Sequence, residues 1–468
     1  MNNEWIKVTL ADLGSFKNGA NFNAKQYGDA HPVVSVKSLF RGRFAVTEGL
    51  DAIQEGVISK IENYLLVDDD ILFARSSLKR SGSGQTAIVK NPPKGTIFSG
   101  FTIRFRSNNK NIVDALFLLY NLKSPVSREV FARIATGTTI SNLSQANLSS
   151  FPINLPPLSE QKAIAHILGK LDDKIELNRQ MNQTLEEMAQ ALFKSWFVDF
   201  DPVFDNALAA GNEIPDALKA KAELRSLVPD EKKLLHSNPE LAEGFPSSFV
   251  FNETLDKLIP EGWGVKTIDS FGKVVCGKTP PKANPENYGG VIPFIKIPNM
   301  HNEVFVMQAS EYLSNQGSQS QINKLLPKGS ISVSCIATVG KVIITKEPSH
   351  TNQQINSIVP TNTKHRYFLY FYMLSLERYF HDLASGGSTT LNMNTSTFSK
   401  VNVLYPTLQI VSQFHEKVSP LFSKILLNQE KNETLTQLRD TLLPQLISGK
   451  VRVPEGFVDE MANDEAVA

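Results

Sequence analysis

The segment of this chain that most resembles a catalytic motif is Gly272 to Thr279, which matches the pattern GxxxxGK[ST]. That pattern binds phosphate groups where a buried strand leads into the N-terminus of a helix. Here Pro280 and Pro281 follow directly, and two prolines interrupt the helix that such a loop requires. A related segment near the N-terminus has Ala20-Asn21 in place of the Lys-Thr pair. We therefore interpret the glycines as turn residues and do not expect nucleotide hydrolysis.

A second candidate for chemistry is Asn91-Pro92-Pro93-Lys94, because adenine methyltransferases hold a flipped base in an Asn-Pro-Pro-aromatic loop. Lys94 stands where the aromatic ring would stack, so a proline turn is the better interpretation. Cys276 and Cys335 are the only cysteines, and the eight histidines lack the spacing of metal ligands. These residues predict a non-catalytic chain that binds no cofactor or metal of its own.

Length and composition are those of an ordinary globular protein with several domains. The 468 residues exceed what one hydrophobic core organises, and about two to four domains are expected. Charged residues make up 20% of the chain and the formal net charge is +1, which does not indicate a strongly basic protein that wraps nucleic acid. The sequence has no apolar run long enough for a membrane span and no signal-peptide pattern at its start. We expect a cytoplasmic protein.

The elements that dominate the sequence are two helical patterns, residues 160–198 and 410–448, which repeat each other 250 positions apart. Apolar residues in both fall at alternating spacings of three and four, the pattern of a coiled-coil seam. The predicted seam consists of Leu168, Leu171, Ile175, Asn178, Asn182, Leu185 and Leu192 in the first helix and Val418, Leu421, Ile425, Asn428, Asn432, Leu435 and Leu442 in the second. One matched position, Ala189 against Arg439, departs from the pattern.

Each seam contains two asparagines near its midpoint, and both helices share these positions. A buried asparagine is unfavourable unless it meets a hydrogen-bonding partner, so a paired asparagine layer fixes the register of two helices. We therefore predict that the two helices pair with each other. The alternative is two unrelated amphipathic helices, each packed on its own domain.

A segment of about 150 residues precedes each helix, and these two segments, the globules, also correspond. Trp5–Gly19 aligns with Trp263–Gly277, with the tryptophan and two glycines in step. Both globules mix short β-branched strands with helical patterns, which predicts an α+β fold. Residues 201–260 hold six prolines and are predicted to form a connector with brief helices. The expected boundaries are 1–155 for the first globule, 156–200 for the first helix, 201–260 for the connector, 261–405 for the second globule, 406–452 for the second helix and 453–468 for the tail.

The order globule, helix, connector, globule, helix resembles the specificity subunit of type I restriction-modification systems over essentially the whole chain. Four segments carry the resemblance: Leu155–Ile164 at the start of the first helix, Leu192–Pro202 at its end, Ile259–Trp263 before the second globule and Leu442–Lys450 at the end of the second helix. The start of the second helix departs from the pattern, because Thr407-Leu408-Gln409-Ile410 stands where Ser-Glu-Gln is expected.

The resemblance implies an α+β chain in which two α/β target-recognition domains are separated by two long helices that form an antiparallel coiled coil. Each domain would read one half of a split sequence in double-stranded DNA. The asparagines near the helix midpoints agree with antiparallel pairing, since an internal pseudo-twofold axis would bring the two polar layers together. A helix of about 38 residues is roughly 57 Å long, so the coil would act as a spacer.

The resemblance also implies partner subunits. A member of this family is not an enzyme; it docks two methyltransferase subunits, which use S-adenosylmethionine to methylate adenine. With restriction subunits, which use ATP and Mg²⁺, such a complex becomes a nuclease. Whether restriction subunits accompany this chain is left open by its sequence.

Base readout requires loops that present Arg, Lys, Asn, Gln, Ser or Thr to a groove. In the first globule the residues predicted to contact DNA are Lys37, Arg41, Arg43, Arg75, Lys79, Arg80, Ser83, Gln85, Thr138, Thr139 and Asn142. In the second globule they are Lys278, Lys282, Lys296, Lys341, Asn352, Gln353, Gln354, Ser388, Thr389, Thr390 and Asn394. For each basic residue the alternative is a solvated surface position.

A different functional class also fits these patterns, namely a coiled-coil scaffold that binds polypeptides and does not contact DNA. Salt dependence distinguishes the two, because phosphate contacts release counterions. The affinity of a DNA-binding chain for DNA should therefore fall steeply between about 50 and 200 mM salt.

Overall fold

The structure of the chain is a computed structural model that describes residues 4–40, 42–137, 141–301, 304–385 and 391–458. It divides into two compact units, the first formed by Met1–Glu176 with Thr434–Ala468 and the second by Leu177–Glu433. Each unit contains one globule and a part of both long helices.

The two long helices are Leu158–Phe193 and Leu408–Ile447. One π-helical turn, Lys194–Val198, continues the first of them. The second begins without the expected Ser-Glu-Gln, and the Thr407 hydroxyl accepts the Ile410 N–H at 3.4 Å instead. All the predicted seam residues are buried or half-buried, as the seam of a coiled coil requires.

Within the second unit the long helices pack antiparallel through the predicted asparagine layer. The Asn178 side-chain amide donates to the Asn432 side-chain oxygen at 2.8 Å, and the Asn428 amide donates to Asn182 at 2.8 Å. Asn178 and Asn428 are each only 2% exposed. Because these amides are paired, their burial carries no penalty for an unmade hydrogen bond.

Within the first unit the long helices also pack antiparallel. Arg439, which interrupts the seam pattern, donates to Asp172 at 2.7 Å, and Asp172 also accepts the Tyr120 hydroxyl at 2.7 Å. Ile164 shares an apolar cluster with Leu446 of the second helix. The alternative in which each helix packs separately on its own domain is therefore wrong.

The segment that follows the second helix bonds to the start of the first helix, also within the first unit. Arg452 donates through two guanidinium nitrogens to Glu160, at 2.6 and 2.7 Å. Glu160 also accepts the Trp5 indole N–H at 3.1 Å. These contacts explain two positions that the sequence analysis singled out, since Glu160 belongs to the motif at the helix start and Trp5 opens the segment that aligns between the two globules.

The globule of the first unit is built on two sheets. The antiparallel sheet has the order Gly14–Asn18, Thr102–Ser107, Ile71–Ala74 and Thr86–Ile88. The mixed sheet has the order Tyr27–Gly28, Ala52–Ile53, His31–Val34 and Ile97–Phe98, of which the last two are parallel. Two further pairs join Ile6–Thr9 to Pro152–Leu155 and Ser76–Ser77 to Ser141–Asn142. The helices are Leu10–Leu13, Ala115–Lys123, Pro125–Ile134 and Gln145–Ser149.

The globule of the second unit repeats this arrangement. Its antiparallel sheet has the order Gly272–Cys276, Ile355–Pro360, Ile331–Ser334 and Val342–Ile344. Its mixed sheet has the order Glu311–Leu313, Tyr288–Ile295 and His350–Thr351, and Gly264–Thr267 pairs with Asn402–Tyr405. The helices are Asn315–Gln319, Arg366–Ser375, Glu377–Ala384 and Thr395–Ser399. The predicted α+β class and internal repeat are thus confirmed.

The segment between the first helix and the second globule contains the brief helices that the sequence predicts. They are Asp201–Ala210, Lys219–Ser226, Leu234–Ser237 and Pro239–Ala242. A hairpin of Phe249–Asn252 and Lys257–Pro260, which the sequence analysis did not predict, ends the segment. Phe204 and Leu241 are buried in the apolar cluster that also holds Trp196. The segment therefore packs into the core of the second unit.

The glycines that align between the two globules allow loops to approach a strand closely. A Cβ on Gly19 would lie 2.0 Å from the Ser99 carbonyl oxygen, and a Cβ on Gly277 would lie 2.2 Å from that of Asn352. Gly272–Cys276 is a strand within the antiparallel sheet, so the GxxxxGK[ST] match does not form a loop between a strand and a helix. The phosphate-binding alternative is therefore wrong.

No helix within the described ranges is both long enough and apolar enough to cross a membrane.

Candidate nucleic-acid interface

The predicted residues of the first globule fall into three clusters along the chain, and the first of these, Lys37, Arg41 and Arg43, lies at and just after the short 3-10 turn Val36–Leu39. The Lys37 side chain is exposed there. Arg43, by contrast, is mostly buried and forms an ion pair with Asp173 of the first long helix. This contact assigns Arg43 to holding the loop against the helix, so we leave it out of the proposed interface. Arg41 lies outside the described residues.

The second cluster is Arg75, Lys79, Arg80, Ser83 and Gln85, and the third is Thr138, Thr139 and Asn142. The pairing of two short strands, Ser76–Ser77 and Ser141–Asn142, brings Asn142 next to the second cluster. The Ser76 hydroxyl donates to the Asn142 side-chain oxygen at 2.6 Å. Sequence reasoning identified Asn142 but missed Ser76, because a serine in a two-residue strand belongs to no recognisable pattern. Thr138 and Thr139, from the same cluster, lie outside the described residues.

The remaining residues of the second cluster differ in exposure. Those on the surface are Lys79 and Arg80, and those half-buried are Arg75 and Gln85. Ser83 is completely buried, and its hydroxyl donates to the Ser141 carbonyl oxygen at 3.0 Å. The Ser83 hydroxyl is therefore occupied inside the globule and cannot present itself to a groove, which corrects the prediction that it contacts DNA.

In the second globule the structure places Lys278 beside the loop Asn352–Gln354. The Thr279 hydroxyl, next to Lys278, donates to the Gln353 side-chain oxygen at 2.7 Å. Lys278 and Gln353 are exposed, Gln354 is half-buried and Asn352 is buried. The end of the glycine-containing strand and this loop thus form one polar surface. Thr279 was missed as a surface residue because the sequence analysis considered it only within the phosphate-loop pattern.

A buried network fixes the backbone at Lys278. The His350 ring is completely buried, with the Ser318 hydroxyl 2.8 Å from Nε2 and the Gln321 side-chain nitrogen 3.4 Å from Nδ1. The Gln321 amide also donates to the Lys278 carbonyl oxygen at 3.0 Å. Burial lowers the pKa of His350 to about 4, so the ring is neutral at pH 7. Sequence reasoning missed this histidine because its partners are distant along the chain.

The other predicted residues of the second globule are dispersed. Lys296 pairs with Glu311 at 2.7 Å and Lys341 pairs with Glu377 at 3.0 Å. The Asn394 side chain accepts the Thr397 N–H at 2.8 Å and caps the short helix that follows. Lys282 is exposed, and Ser388, Thr389 and Thr390 lie outside the described residues. The structure thus does not gather these predicted positions into one surface with Lys278.

In the part of the chain that the structure describes, no three His, Cys, Asp or Glu side chains come together as a group that could hold a metal ion. The polar surfaces of both globules are instead built from lysine, serine, threonine, asparagine and glutamine, the residue types that contact phosphates and base edges.

The family model of the type I restriction modification DNA specificity domain matches residues 2–187 and 260–437. The chain is 42% identical to the Type I restriction enzyme HindI specificity subunit of Haemophilus influenzae over 400 residues, which cover 82% of this chain and 86% of that relative. It is 26% identical to the Type I restriction enzyme MjaIX specificity subunit of Methanocaldococcus jannaschii over 473 residues, which cover 97% and 94%.

A solved structure has the same fold. The type I restriction-modification system S subunit from M. genitalium superposes with a TM-score of 0.54 at 17% identity, over 95% of this chain and 96% of that one. The family match spans both globules and most of both long helices. The chain therefore belongs to the DNA specificity subunits of type I restriction-modification systems, which are themselves non-catalytic.

Proposed function

We propose that this chain reads a split target in double-stranded DNA, with one half-site bound by each globule. The observation that carries the proposal is that polar side chains, exposed or half-buried, collect at the same end of the antiparallel sheet in both globules. In the first globule these include the exposed Lys37 and the half-buried Ser76, and in the second the exposed Lys278 and Gln353. Their residue types suit phosphate contacts and base edges.

The proposed interface is smaller than the predicted one. In the first globule it comprises Lys37, Arg75, Ser76, Lys79, Arg80, Gln85 and Asn142, and in the second Lys278, Thr279, Gln353 and Gln354. Lys296 and Lys341 contribute only if DNA replaces their carboxylate partners, because an ion pair already satisfies each of them.

The proposal is tested by selecting duplexes from a random library with the full chain and its methyltransferase partner. We expect enrichment of one sequence in two parts, with an affinity that falls steeply between about 50 and 200 mM salt. A library in which no sequence binds better than bulk DNA would contradict half-site reading and favour a scaffold that binds polypeptides.

We also propose that the chain docks two methyltransferase subunits, as its family placement supports. In this proposal S-adenosylmethionine belongs to those subunits, and ATP and Mg²⁺ belong to restriction subunits where they are present. Such a complex acts on chromosomal DNA, so we propose a cytoplasmic location. Methylation-sensitive sequencing of the host genome should show adenine methylation within a two-part motif, and methylation of an undivided motif would contradict the proposal.

We further propose that the paired long helices set the gap between the half-sites. Helices of 36 and 40 residues are about 54 and 60 Å long. Their antiparallel packing within each unit supports a rigid spacer. Adding one heptad to both helices should lengthen the preferred gap and leave each half-site sequence unchanged. An unaltered gap would count against the spacer role.

A further inference from the structure

A cavity of about 410 Å³ opens in the first globule, at the end of the sheet where these polar side chains collect. Lys37 and Ser76, which we propose to contact DNA, both line it. Three aromatic side chains form much of its apolar wall, namely Phe22, Tyr27 and Phe101. A volume of this size lies within the range of sites that enclose small planar ligands.

Two charged side chains in the wall of this cavity can meet a polar ligand. Asp51 adds a carboxylate acceptor and Lys37 adds a cation. Ser99 also lines the cavity, but its hydroxyl is buried from solvent, so we assign it no contact with a ligand.

The aromatic side chains are placed for stacking. Phe101 is 66% exposed although it is large and apolar. Phe22 and Tyr27 lie edge to face, with ring centroids 5.5 Å apart. Exposed apolar side chains beside a DNA surface insert between base steps, and every base has a flat face that stacks on an aromatic ring.

The second globule carries an ion pair at the corresponding positions. Pro32 pairs with Ala52 in the first mixed sheet as Pro293 pairs with Tyr312 in the second. By this register Ser35 and Asp51 of the cavity correspond to Lys296 and Glu311, which form an ion pair at 2.7 Å. Because the Ser35 side chain is small, the first globule keeps open the space that the Lys296 side chain fills in the second globule.

We propose that this cavity receives one base of the first half-site, turned out of the duplex. The base would stack on the aromatic wall, and its edge would bond with the Asp51 carboxylate, while Lys37 lies near its phosphate. The inference rests on the proposed function, since it assumes that the first globule binds duplex DNA. It assigns sequence readout to pocket contacts as well as to groove contacts.

The test uses the full chain in complex with its methyltransferase subunits and duplexes that carry its mapped target. At each position of the first half-site, one base is removed so that its partner is left unpaired. If the base left unpaired is the one that leaves the duplex, no base pair has to be broken, so the complex binds that duplex more tightly. We expect about a tenfold gain in affinity at one position other than the methylated adenine.

Two variants connect that gain to the cavity. Ser35→Lys introduces the cation that Lys296 supplies in the second globule, and we expect it to abolish the tenfold gain while selection of the second half-site persists. Phe101→Ala changes an exposed side chain and should remove most of the gain without affecting folding. Lys296→Ser, in the second globule, is the matched control and should leave the gain intact.

Two results would overturn the inference and separate it from the proposed function. If the target is bound selectively but no such position tightens, or if both cavity variants keep the full gain, the cavity receives no base and half-site reading stands. If the wild-type complex selects no sequence, half-site reading itself fails, and this inference fails with it.

Discussion

The two globules share one backbone plan but carry different side chains at the end of the sheet where we propose that DNA binds. The loop Ser99-Gly100-Phe101 in the first corresponds to Asn352-Gln353-Gln354 in the second, and each accepts the close approach of a matched glycine. One loop thus presents an aromatic ring and the other presents amides. The comparison teaches that strand pairing and glycines preserve the frame, while the loops are free to acquire different sequence preferences.

The largest effect should come from filling the space at either matched glycine. Gly19→Val and Gly277→Val each place a side chain against a carbonyl oxygen of the backbone, which cannot move without breaking the sheet. We expect a loss of more than about 4 kcal/mol in the free energy of unfolding of the altered globule. Gly19→Val should abolish discrimination at one half-site, and Gly277→Val at the other.

The matched control for these glycine variants is Gly264→Ala, where no atom lies within 4 Å of the added Cβ. It should change the free energy of unfolding by less than about 0.5 kcal/mol. Binding assays with one half-site scrambled at a time report which globule has failed. Loss of both half-sites from either glycine variant would show that the globules do not act separately.

A smaller effect, on the pH dependence of the free energy of unfolding, should distinguish the two globules. His350 in the second corresponds to Ile97 in the first, and burial lowers the pKa of His350 to about 4. The unfolded chain therefore takes up this proton first, and stability that is present above pH 6.5 is lost as the pH falls toward 4. The difference amounts to about 3 kcal/mol for full protonation.

His350→Gln, which keeps a hydrogen-bonding group beside Ser318, should reduce the pH dependence of unfolding between pH 6.5 and 4. Burial also lowers the pKa of His415 and His365 in the second unit, so some dependence should remain. Denaturant unfolding at several pH values measures the pH dependence of stability. The control is His236→Gln, a substitution at an exposed histidine. An unchanged slope in His350→Gln would show that this ring does not titrate on unfolding.

Substitution of an asparagine in the buried layer should lower stability by the same amount in either long helix. Asn178→Leu removes the amide that donates to Asn432, and Asn428→Leu removes the one that donates to Asn182. We expect each to lower the free energy of unfolding by about 1–3 kcal/mol, because a buried polar partner is left unsatisfied. Replacing all four asparagines with leucine should restore or raise stability and loosen the register.

Denaturant unfolding measures the asparagine variants, and disulfide trapping between cysteines introduced on facing helix positions measures register. Gln183→Leu, at an exposed position of the same helix, is the control. If the two single variants lose unequal amounts of free energy of unfolding, the two contacts are not equivalent. If the fourfold variant keeps a single, unchanged register, the asparagine layer does not fix the register of the helices.

The smallest effect concerns phosphate contacts. Lys278→Ala and Lys37→Ala should each weaken binding to all DNA sequences alike and lower the salt slope by about one. Lys273→Ala, on the same strand as the glycine motif but outside the proposed interface, serves as the control. A change in sequence preference with an unchanged salt slope would instead indicate that these lysines contact base edges and not phosphates.

The features that the sequence predicted correctly are those set by spacing along the chain. The period of the seam and its two asparagines predicted that the long helices pair, and the aligned Gly19 and Gly277 marked equivalent places in both globules. These features follow from local rules, because a heptad has one buried face and only glycine tolerates a backbone atom about 2 Å from its Cβ position.

The features that the sequence did not predict depend on which distant residues meet. The sequence analysis predicted that Arg43 contacts DNA, but its guanidinium forms an ion pair with Asp173. It made the same prediction for Ser83, whose hydroxyl donates to the Ser141 carbonyl oxygen inside the globule. Phe101, directly before the strand Thr102–Ser107, was overlooked because an aromatic residue beside a strand is normally a core residue, and its exposure is set by the loops around it. The contact residues beyond these corrections stay predictions.

The asparagine contacts carry a consequence for how such a chain arises. Asn432 is the repeat counterpart of Asn182 and Asn428 that of Asn178, so the two contacts are one contact made twice, once from each side. That reciprocity is the defining property of an isologous interface between identical subunits. A gene encoding only one globule and its helix would therefore specify a self-complementary surface, and two copies of its product would reproduce the polar layer of the joined chain.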